Sequence, residues 1–375
     1  MKKNCSTKSI FIHLCQTLIV EKKMAETFEQ AKKLLISLIE TFSISRSESG
    51  TAELLCKFFK KYGVEAQRIE NNVIVRSKNF DESKPTILLN SHHDTVKPSD
   101  GWDNDPFNAV CLDGKIIGLG SNDAGASLVS LIFTFLHFNE LEKPFNLMLV
   151  ASAEEEVSGK NGLECVIPTL PEIAFGIVGE PTGMRMAIAE KGLLVLDCKA
   201  IGKSGHAAHS NGINAIYKAM DDIEWFRTYQ FPKKSEFLGE VKMSVTCINA
   251  GTQHNVIPGE CTFVVDVRSN ELYTNQELFD IISNAVQCEV SERSFRLNSS
   301  SIQVSHPLVQ SGLKLGLEMF GSPTLSDQVF MTKFPSMKIG PGDTLRSHTA
   351  NEYIFESELQ QGIDTYIKLL EGLEL

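Results

Sequence analysis

Two imidazoles and a set of carboxylates mark the chemistry this chain could do. His92 and Asp94 stand two apart in Ser91-His92-His93-Asp94-Thr95-Val96, directly after the apolar run Thr86-Ile87-Leu88-Leu89. Residues two apart in an extended chain project to the same side. The imidazole could therefore bind a metal while the carboxylate holds its other ring nitrogen from behind. Asp123 closes Gly118-Leu119-Gly120-Ser121-Asn122-Asp123, and Glu154-Glu155-Glu156 follow the apolar run Phe145 to Ala151. Glu180 follows Ile173 to Val178, and His348 lies beyond Met337-Lys338-Ile339 and Gly340-Pro341-Gly342. Each has a structural explanation if taken alone: a helix N-cap for Asp123, a solvated turn for the glutamates, a surface histidine. What they share is a place just past the carboxyl end of an apolar strand, where open α/β sheets keep their ligand sites. Carboxylates converging there repel one another unless a cation neutralises them. Two histidines with several carboxylates suit zinc better than magnesium or calcium.

The elements that must position these groups can be read from periodicity. Helical spacing runs from Thr27 to Ile39, and a second helix from Ser49 to Tyr62 is stopped by Gly63. A hairpin turning at Asn71-Asn72 joins Val64–Ile69 to Val73–Arg76. Pro98 to Leu112, with Trp102, Asp103, Asp105, Pro106 and Phe107, reads as a loop rimming the site. Lys115–Leu119 is a strand, Ala124–Phe138 a helix, and a last helix covers Ser357–Leu370.

Between Ala187 and Leu297 the texture changes. Strands over Gly192–Ala200, Val241–Ile248 and Glu260–Val267 alternate with helices over Ile213–Tyr229 and Asn275–Val290. This order predicts a small α+β domain on an antiparallel sheet. It is inserted into a larger α/β domain, because the strand before it and the His348 segment after it serve one site. The expected organisation is therefore an N-terminal extension over 1–23, a catalytic domain over 24–186 and 298–375, and an insert over 187–297.

Composition narrows the class. The chain has 375 residues, 42% of them hydrophobic, which suits one large or two medium domains. A formal net charge of −11 argues against nucleic acid as a partner. No apolar run reaches the roughly 18 residues of a membrane span, so no membrane partner is expected. Residues 1–23 begin Met1-Lys2-Lys3 and hold an apolar patch from Ser9 to Val20, but it is interrupted by His13, Gln16 and Thr17. A disordered extension, or translation from Met24, is the expectation over a signal peptide. The nine cysteines form no CxxC pair and predict reduced thiols in a cytoplasmic protein.

From about residue 27 to the end, these motifs stand in the order of the di-zinc aminoacylase, carboxypeptidase G and acetylornithine/succinyl-diaminopimelate deacylase family, which the chain resembles. The resemblance implies a zinc-aminopeptidase-like catalytic domain with a central mixed, mostly parallel sheet, plus a ferredoxin-like lid or dimerisation insert. It implies that His92 is the terminal ligand of one zinc with Asp94 behind it, and that Asp123 bridges two zinc ions. Glu155 would be the general base, Glu156 and His348 ligands of the second zinc, and Glu180 the remaining ligand of the first. Co2+ or Mn2+ could substitute. Asn255 in Asn255-Val256-Ile257-Pro258 and Arg268 in Asp266-Val267-Arg268 resemble contacts to the substrate carboxylate. His206 in Ser204-Gly205-His206 resembles the insert histidine that reaches an active site, usually across a homodimer. The alternatives are a polar residue in a turn for His206 and a strand-edge arginine for Arg268. Where the family usually has Met-Lys-Gly-Gly after its bridging aspartate, this chain has Ala124-Gly125-Ala126-Ser127. The third glutamate would also allow base and ligand to shift by one, although the pair before Val157-Ser158-Gly159 fits the family spacing.

The implied reaction is amide hydrolysis. A water held between two zinc ions loses its proton to Glu155, which later delivers a proton to the leaving amine. The wording around the site is most similar to acetylornithine deacetylase-like members. That points to a small N-acyl-L-amino acid, N-acetyl- or N-succinyl-ornithine or -citrulline of arginine biosynthesis, as the substrate. Succinyl-diaminopimelate or a dipeptide is the alternative, and an inactive metal-binding scaffold a remote one.

Overall fold

The computed structural model describes residues 26–374, so the expected extension over 1–23 lies outside the described residues. The chain divides into two units. The first holds the described residues up to Arg185, Gln310–Leu317 and those from Lys338 onward; the second holds Met186–Val309 and Glu318–Met337. All of residues 187–297 fall in the second unit, which also takes in segments that the sequence assigned to the catalytic domain.

In the first unit, α1 covers 26–39 and α2 covers Ser49–Lys61. Thr51, Ala52, Leu55 and Phe59 form the buried face of α2, and Gly63 at φ +71 ends it. The hairpin pairs β1 (Ala66–Ile69) with β2 (Asn72–Arg76), Ile69 opposite Asn72, so its turn is Glu70-Asn71, one residue earlier than expected. Glu70 takes up the left-handed conformation there, at φ 51. β3 is Thr86–His92, buried along its whole length as a strand covered on both faces must be. Next come β4 (Val110–Leu112), β5 (Lys115–Ile117), α3 (Ala126–Asn139), β6 (Asn146–Ser152) and β7 (Phe175–Val178). The sheet order is β1-β2-β6-β3-β7, antiparallel as far as β6 and parallel from β6 through β3 to β7.

The parallel strands decide where the site lies. β3 and β6 run in register, with His92 opposite Ser152. The peptides after both strands therefore emerge at one edge, and His93 N–H donates to the Ser152 carbonyl at 2.9 Å. On the far side of β7, Ile339 N–H donates to Val178 O at 2.9 Å, which brings the C-terminal segment alongside. Helix α3 is buried on nearly every face, and its interior hydroxyls bond their own helix, Ser130 to Ala126 O and Thr134 to Ser130 O, each at 2.8 Å. It packs against the last helix, Glu356–Glu371. A separate three-stranded sheet pairs β4 with β5 and β5 with Tyr353–Phe355, so residues after His348 lie beside residues before Asp123.

The second unit is built on a four-stranded antiparallel sheet of Lys242–Ala250, Glu260–Arg268, Leu194–Ile201 and Glu289–Glu292, in that spatial order. With helices Ala215–Thr228 and Asn275–Ala285, the chain order is β-α-β-β-α-β, the ferredoxin-like arrangement. Leu194, Leu196, Phe263 and Val265 point to one face and pack with Ala219, Phe226, Leu278 and Ile282. The helix expected over Asn275–Val290 ends at Ala285, and Glu289–Glu292 is a strand instead. Asp222 terminates that helix from a distance: its buried carboxylate accepts the N–H groups of Gln287 and Cys288, both at 2.9 Å. No helix among the described residues is long and apolar enough to cross a membrane.

Asp222→Ala should orphan those two donors, at a cost of about 2–4 kcal/mol of stability. Asp222→Asn, which keeps one carbonyl oxygen, should lose less. Denaturant unfolding of both variants checks this, and wild-type stability in Asp222→Ala would show that the two acceptors are not needed.

Candidate metal centre

Each group that the sequence singled out in the first unit reaches the same place. β3 delivers His92, 1% exposed, with Nε2 3.3 Å from Asp123 Oδ1 and 3.8 Å from Glu180 Oε1. Its Nδ1 lies 3.0 Å from the Asp94 carbonyl and 3.5 Å from Asp94 Oδ1. Asp123 turns its second oxygen, Oδ2, to His348 Nε2 at 3.6 Å. His348 Nε2 also lies 3.0 Å from Glu156 Oε2. One ligand atom each from His92, Asp123 and Glu156, and likewise from His92, Glu155 and Glu180, falls within 4.8 Å of the others in its group. Ligands at 2.0–2.2 Å in a tetrahedron stand about 3.4 Å apart, so these separations fit a metal between them. The donor set fits as well: four carboxylates (Asp123, Glu155, Glu156, Glu180) gather round His92, and two divalent cations would balance their charge.

Asp123 is not a helix cap. It sits in an irregular turn at φ −117, ψ 99, three residues ahead of α3, with a cis peptide to Ala124. Helix α3 begins at Ala126, two residues later than expected. The turn needs two glycines. Gly120 is left-handed at φ +76, and a Cβ on Gly125 would stand 2.4 Å from Gly120 O, to which the Gly125 N–H donates at 3.0 Å. The Ala-Gly-Ala-Ser wording after Asp123 is thus a local solution to a close backbone approach.

The three glutamates are separated by the backbone. Glu154 is left-handed at φ 54 and folds back over Gly159, where any Cβ would lie 1.9 Å from its Oε2; its Oε1 accepts from Asn161 Nδ2 at 3.1 Å. Glu155 and Glu156 occupy the short 3-10 turn that follows. Asp94 holds them there, accepting the N–H of Glu155 at 3.1 Å and of Glu156 at 3.2 Å, while Ser45 Oγ donates to the same carboxylate at 2.7 Å. Asp94 therefore orders both the imidazole and the acidic run.

The electrostatics are those of a cation site filled with protons. Burial opposes the charged form of His92, but Asp123 and Asp94 overcome it and raise its pKa well above the ordinary value. The hydrogen bond to Glu156 raises His348 to about 9. Burial, with Asp123 nearby, pushes Glu180 up to about 8. Glu156 is also raised by burial. Asp94 and Asp123 fall below the usual carboxylate range despite their burial, because His92 bonds to both.

His206, Asn255 and Arg268 belong to the second unit. His206 lies in the two-residue strand Gly205–His206, paired with Val256–Ile257, and the Ala207 N–H donates to Asn255 O at 2.9 Å. Both side chains are solvent-exposed and adjacent. The Arg268 fork is already engaged by Asp266, Nε to Oδ1 at 2.8 Å and Nη2 to Oδ2 at 3.0 Å.

Residues 88–372 match the family described as peptidase family M20/M25/M40. The chain belongs to that family. It is 25% identical over 374 aligned positions to a succinyl-diaminopimelate desuccinylase of Orientia tsutsugamushi, covering 91% of this chain and 96% of the relative. It is 27% identical over 351 positions to an acetylornithine deacetylase of Shigella sonnei, covering 85% and 91%. A dinuclear metal-binding peptidase of Bacillus subtilis superposes with a TM-score of 0.72 at 16% identity, over 92% of this chain and 99% of that one. The protein is a metal-dependent hydrolase of amide bonds.

Sequence reasoning missed the carboxylates that hold the site from behind. Glu48, fully buried, accepts from Asn71 Nδ2 at 2.8 Å and from the Glu154 N–H at 3.3 Å. Glu352, 1% exposed, accepts from the Asp123 loop. Neither follows an apolar strand, so nothing in the local pattern distinguished them from surface glutamates.

His93, beside the cluster, is buried and neutral. Its Nε2 faces the Asn71 carbonyl at 2.9 Å, its Nδ1 lies 2.8 Å from Thr51 Oγ1, and burial pushes its pKa down to about 4. The unfolded chain takes up this proton near pH 6.5 and the folded one only near 4. Stability from this residue is thus complete above pH 6.5 and is lost as pH falls toward 4, by about 3 kcal/mol. In His93→Gln, stability should fall less steeply over that window. Unfolding midpoints measured from pH 4 to 7 test this, and an unchanged slope in the variant would remove His93 from the titration.

Proposed function

We propose that this chain removes the acyl group from N-acyl-L-amino acids using two zinc ions, with N-acetyl- or N-succinyl-ornithine or -citrulline as substrate in arginine biosynthesis. The observation that carries the reading is Asp123, which presents one carboxylate oxygen toward His92 and the other toward His348. Asp123 so placed would let one carboxylate serve two ions. His92, Asp123 and Glu180 would hold the first ion, and Asp123, Glu156 and His348 the second. Bound there, the ions would polarise the amide carbonyl and acidify a water. Co2+ or Mn2+ would serve in the same donors.

Glu155 is the remaining carboxylate of the cluster and is the general base in this reading. It takes the water's proton and returns it to the leaving nitrogen, so that the amine departs neutral. Asp94 holds the Glu155 backbone in reach and keeps His92 oriented. Arg268 would pair with the substrate carboxylate through the part of its fork that Asp266 leaves free, and Asn255 would supply a separate polar contact. His206 would donate to the developing oxyanion. The deacetylase and desuccinylase relatives support acyl-amino acids as the substrate class.

A homodimer through the insert is part of the reading. Strand Lys242–Ala250 lies at the edge of its sheet and exposes Ile248, and helix Ala215–Thr228 exposes Tyr217 and Met220. A cytoplasmic setting is supported by seven described cysteines, Cys56, Cys111, Cys165, Cys198, Cys247, Cys261 and Cys288, all of them free.

The test is metal analysis of the purified protein, followed by amine release from acetyl- and succinyl- forms of ornithine, citrulline and diaminopimelate, with dipeptides alongside. Two ions per chain and turnover of an ornithine or citrulline derivative are expected. Glu155→Gln should keep both ions and lose roughly 10²–10⁴ in kcat. Preference for succinyl-diaminopimelate or a dipeptide would replace the substrate assignment, and full activity in Glu155→Gln would overturn the base.

A further inference from the structure

The loop that carries Asp123 has a second anchor, from the segment that carries His348. Three backbone N–H groups, those of Gly120, Asn122 and Asp123, find no partner in α3, whose first turn lies beyond them. All three donate to one carboxylate. Glu352 Oε1 accepts from Asn122 and from Asp123, each at 2.8 Å, and Oε2 accepts from Gly120 at 3.1 Å. The Glu352 carbonyl also accepts the Gly118 N–H at 3.0 Å. Glu352 lies four positions after His348 in the chain. The two segments are tied again by Asn122, whose Nδ2 donates to Asp343 O at 3.1 Å and whose Oδ1 accepts the Asp343 N–H at 3.0 Å.

Such an arrangement is unusual for mere loop support. A carboxylate 1% exposed is costly to bury, and charge-assisted bonds to several N–H groups are what stabilise it. The loop it holds contains Asp123, whose two carboxylate oxygens lie 3.3 Å from His92 and 3.6 Å from His348. A small rotation of the Asp123 peptide would move Oδ1 away from His92 or Oδ2 away from His348, since a carboxylate has two oxygens at a fixed separation.

We propose that Glu352 is a positioning residue that locks the Asp123 loop to the His348 segment, so that Asp123 faces both sets of metal ligands at once. It touches neither substrate nor ion; it acts through Asp123. The inference rests on the two-ion reading above.

The test uses the full chain stripped of metal and titrated with Co2+, followed by equilibrium dialysis and by the visible absorption of the bound ions. The wild type should bind two ions per chain. Glu352→Ala should weaken binding of at least one ion by about 10–100-fold, as loss of a supporting partner does, and change the Co2+ absorption. Glu352→Gln keeps an oxygen for Asn122 and Asp123 and loses only the acceptor for Gly120, so it should recover most of the affinity. Ile354→Ala, at a fully buried apolar position in the same segment, is the control: it should lower thermal stability and leave Co2+ binding unchanged. Wild-type affinity and absorption in Glu352→Ala would overturn the inference while the metal reading stands. If Glu352→Ala does not fold, Glu352→Leu, which keeps the volume and removes both acceptors, takes its place: the same loss of Co2+ affinity is expected, and wild-type affinity and absorption in it would overturn the inference. A wild type that binds fewer than two ions would overturn the two-ion reading and this inference with it.

Discussion

Mutual repulsion among carboxylates is the constraint on which the rest of this structure depends. Asp123, Glu155, Glu156 and Glu180 are drawn together at one edge of a sheet, with His92 and His348 beside them. At the few-ångström separations seen here, like charges cannot all remain ionised without a cation. The protein answers in two ways. The imidazoles bind protons more tightly than usual, and Glu156 and Glu180 are pushed upward by burial. Both responses make the cluster a place where metal competes with protons, so metal affinity must rise with pH.

Holding such groups close requires anchors. The backbone supplies most of them. Parallel pairing of β3 with β6 puts the residues after both strands side by side. Asp94 then turns the N–H groups of Glu155 and Glu156 toward itself, and Glu352 does the same for the Asp123 loop. Glu48 does so for Glu154. In each case a buried carboxylate is satisfied by N–H donors that no helix or sheet uses, so two unfavourable burials cancel. The ring of ligands is thus set by a second ring of acids whose partners are peptides.

The second unit solves a different problem. Its sheet buries one face under two helices and leaves a long edge strand and several apolar side chains at the surface. The residues given substrate roles, His206 and Asn255, sit exposed on a two-stranded ribbon, while Arg268 is held half-buried by Asp266.

The sequence by itself determined the class of the site. Strands ending in His92, in Glu155-Glu156, in Glu180 and in the run before His348 could be read from apolar runs, because a buried parallel strand leaves an unbroken signature and its end points to the ligand crevice. The β-α-β-β-α order of the insert was legible from alternating strands and helical spacing, although its last strand, Glu289–Glu292, was hidden inside a helical pattern that Asp222 cuts short from another element. What only the tertiary structure decided was the role of residues whose partners are distant in sequence. Asp123 has a bridging role only by resemblance until His92 and His348 are seen on either side of it. Glu154 reads like its neighbours until the backbone at φ 54 turns it onto Gly159. Glu352 reads as a surface acid until the N–H groups of Gly120, Asn122 and Asp123 arrive beside it. Local pattern records what a segment buries; which donor meets which acceptor depends on chain crossings that span 200 residues or more here, between Asp123 and Glu352 or Asn122 and Asp343.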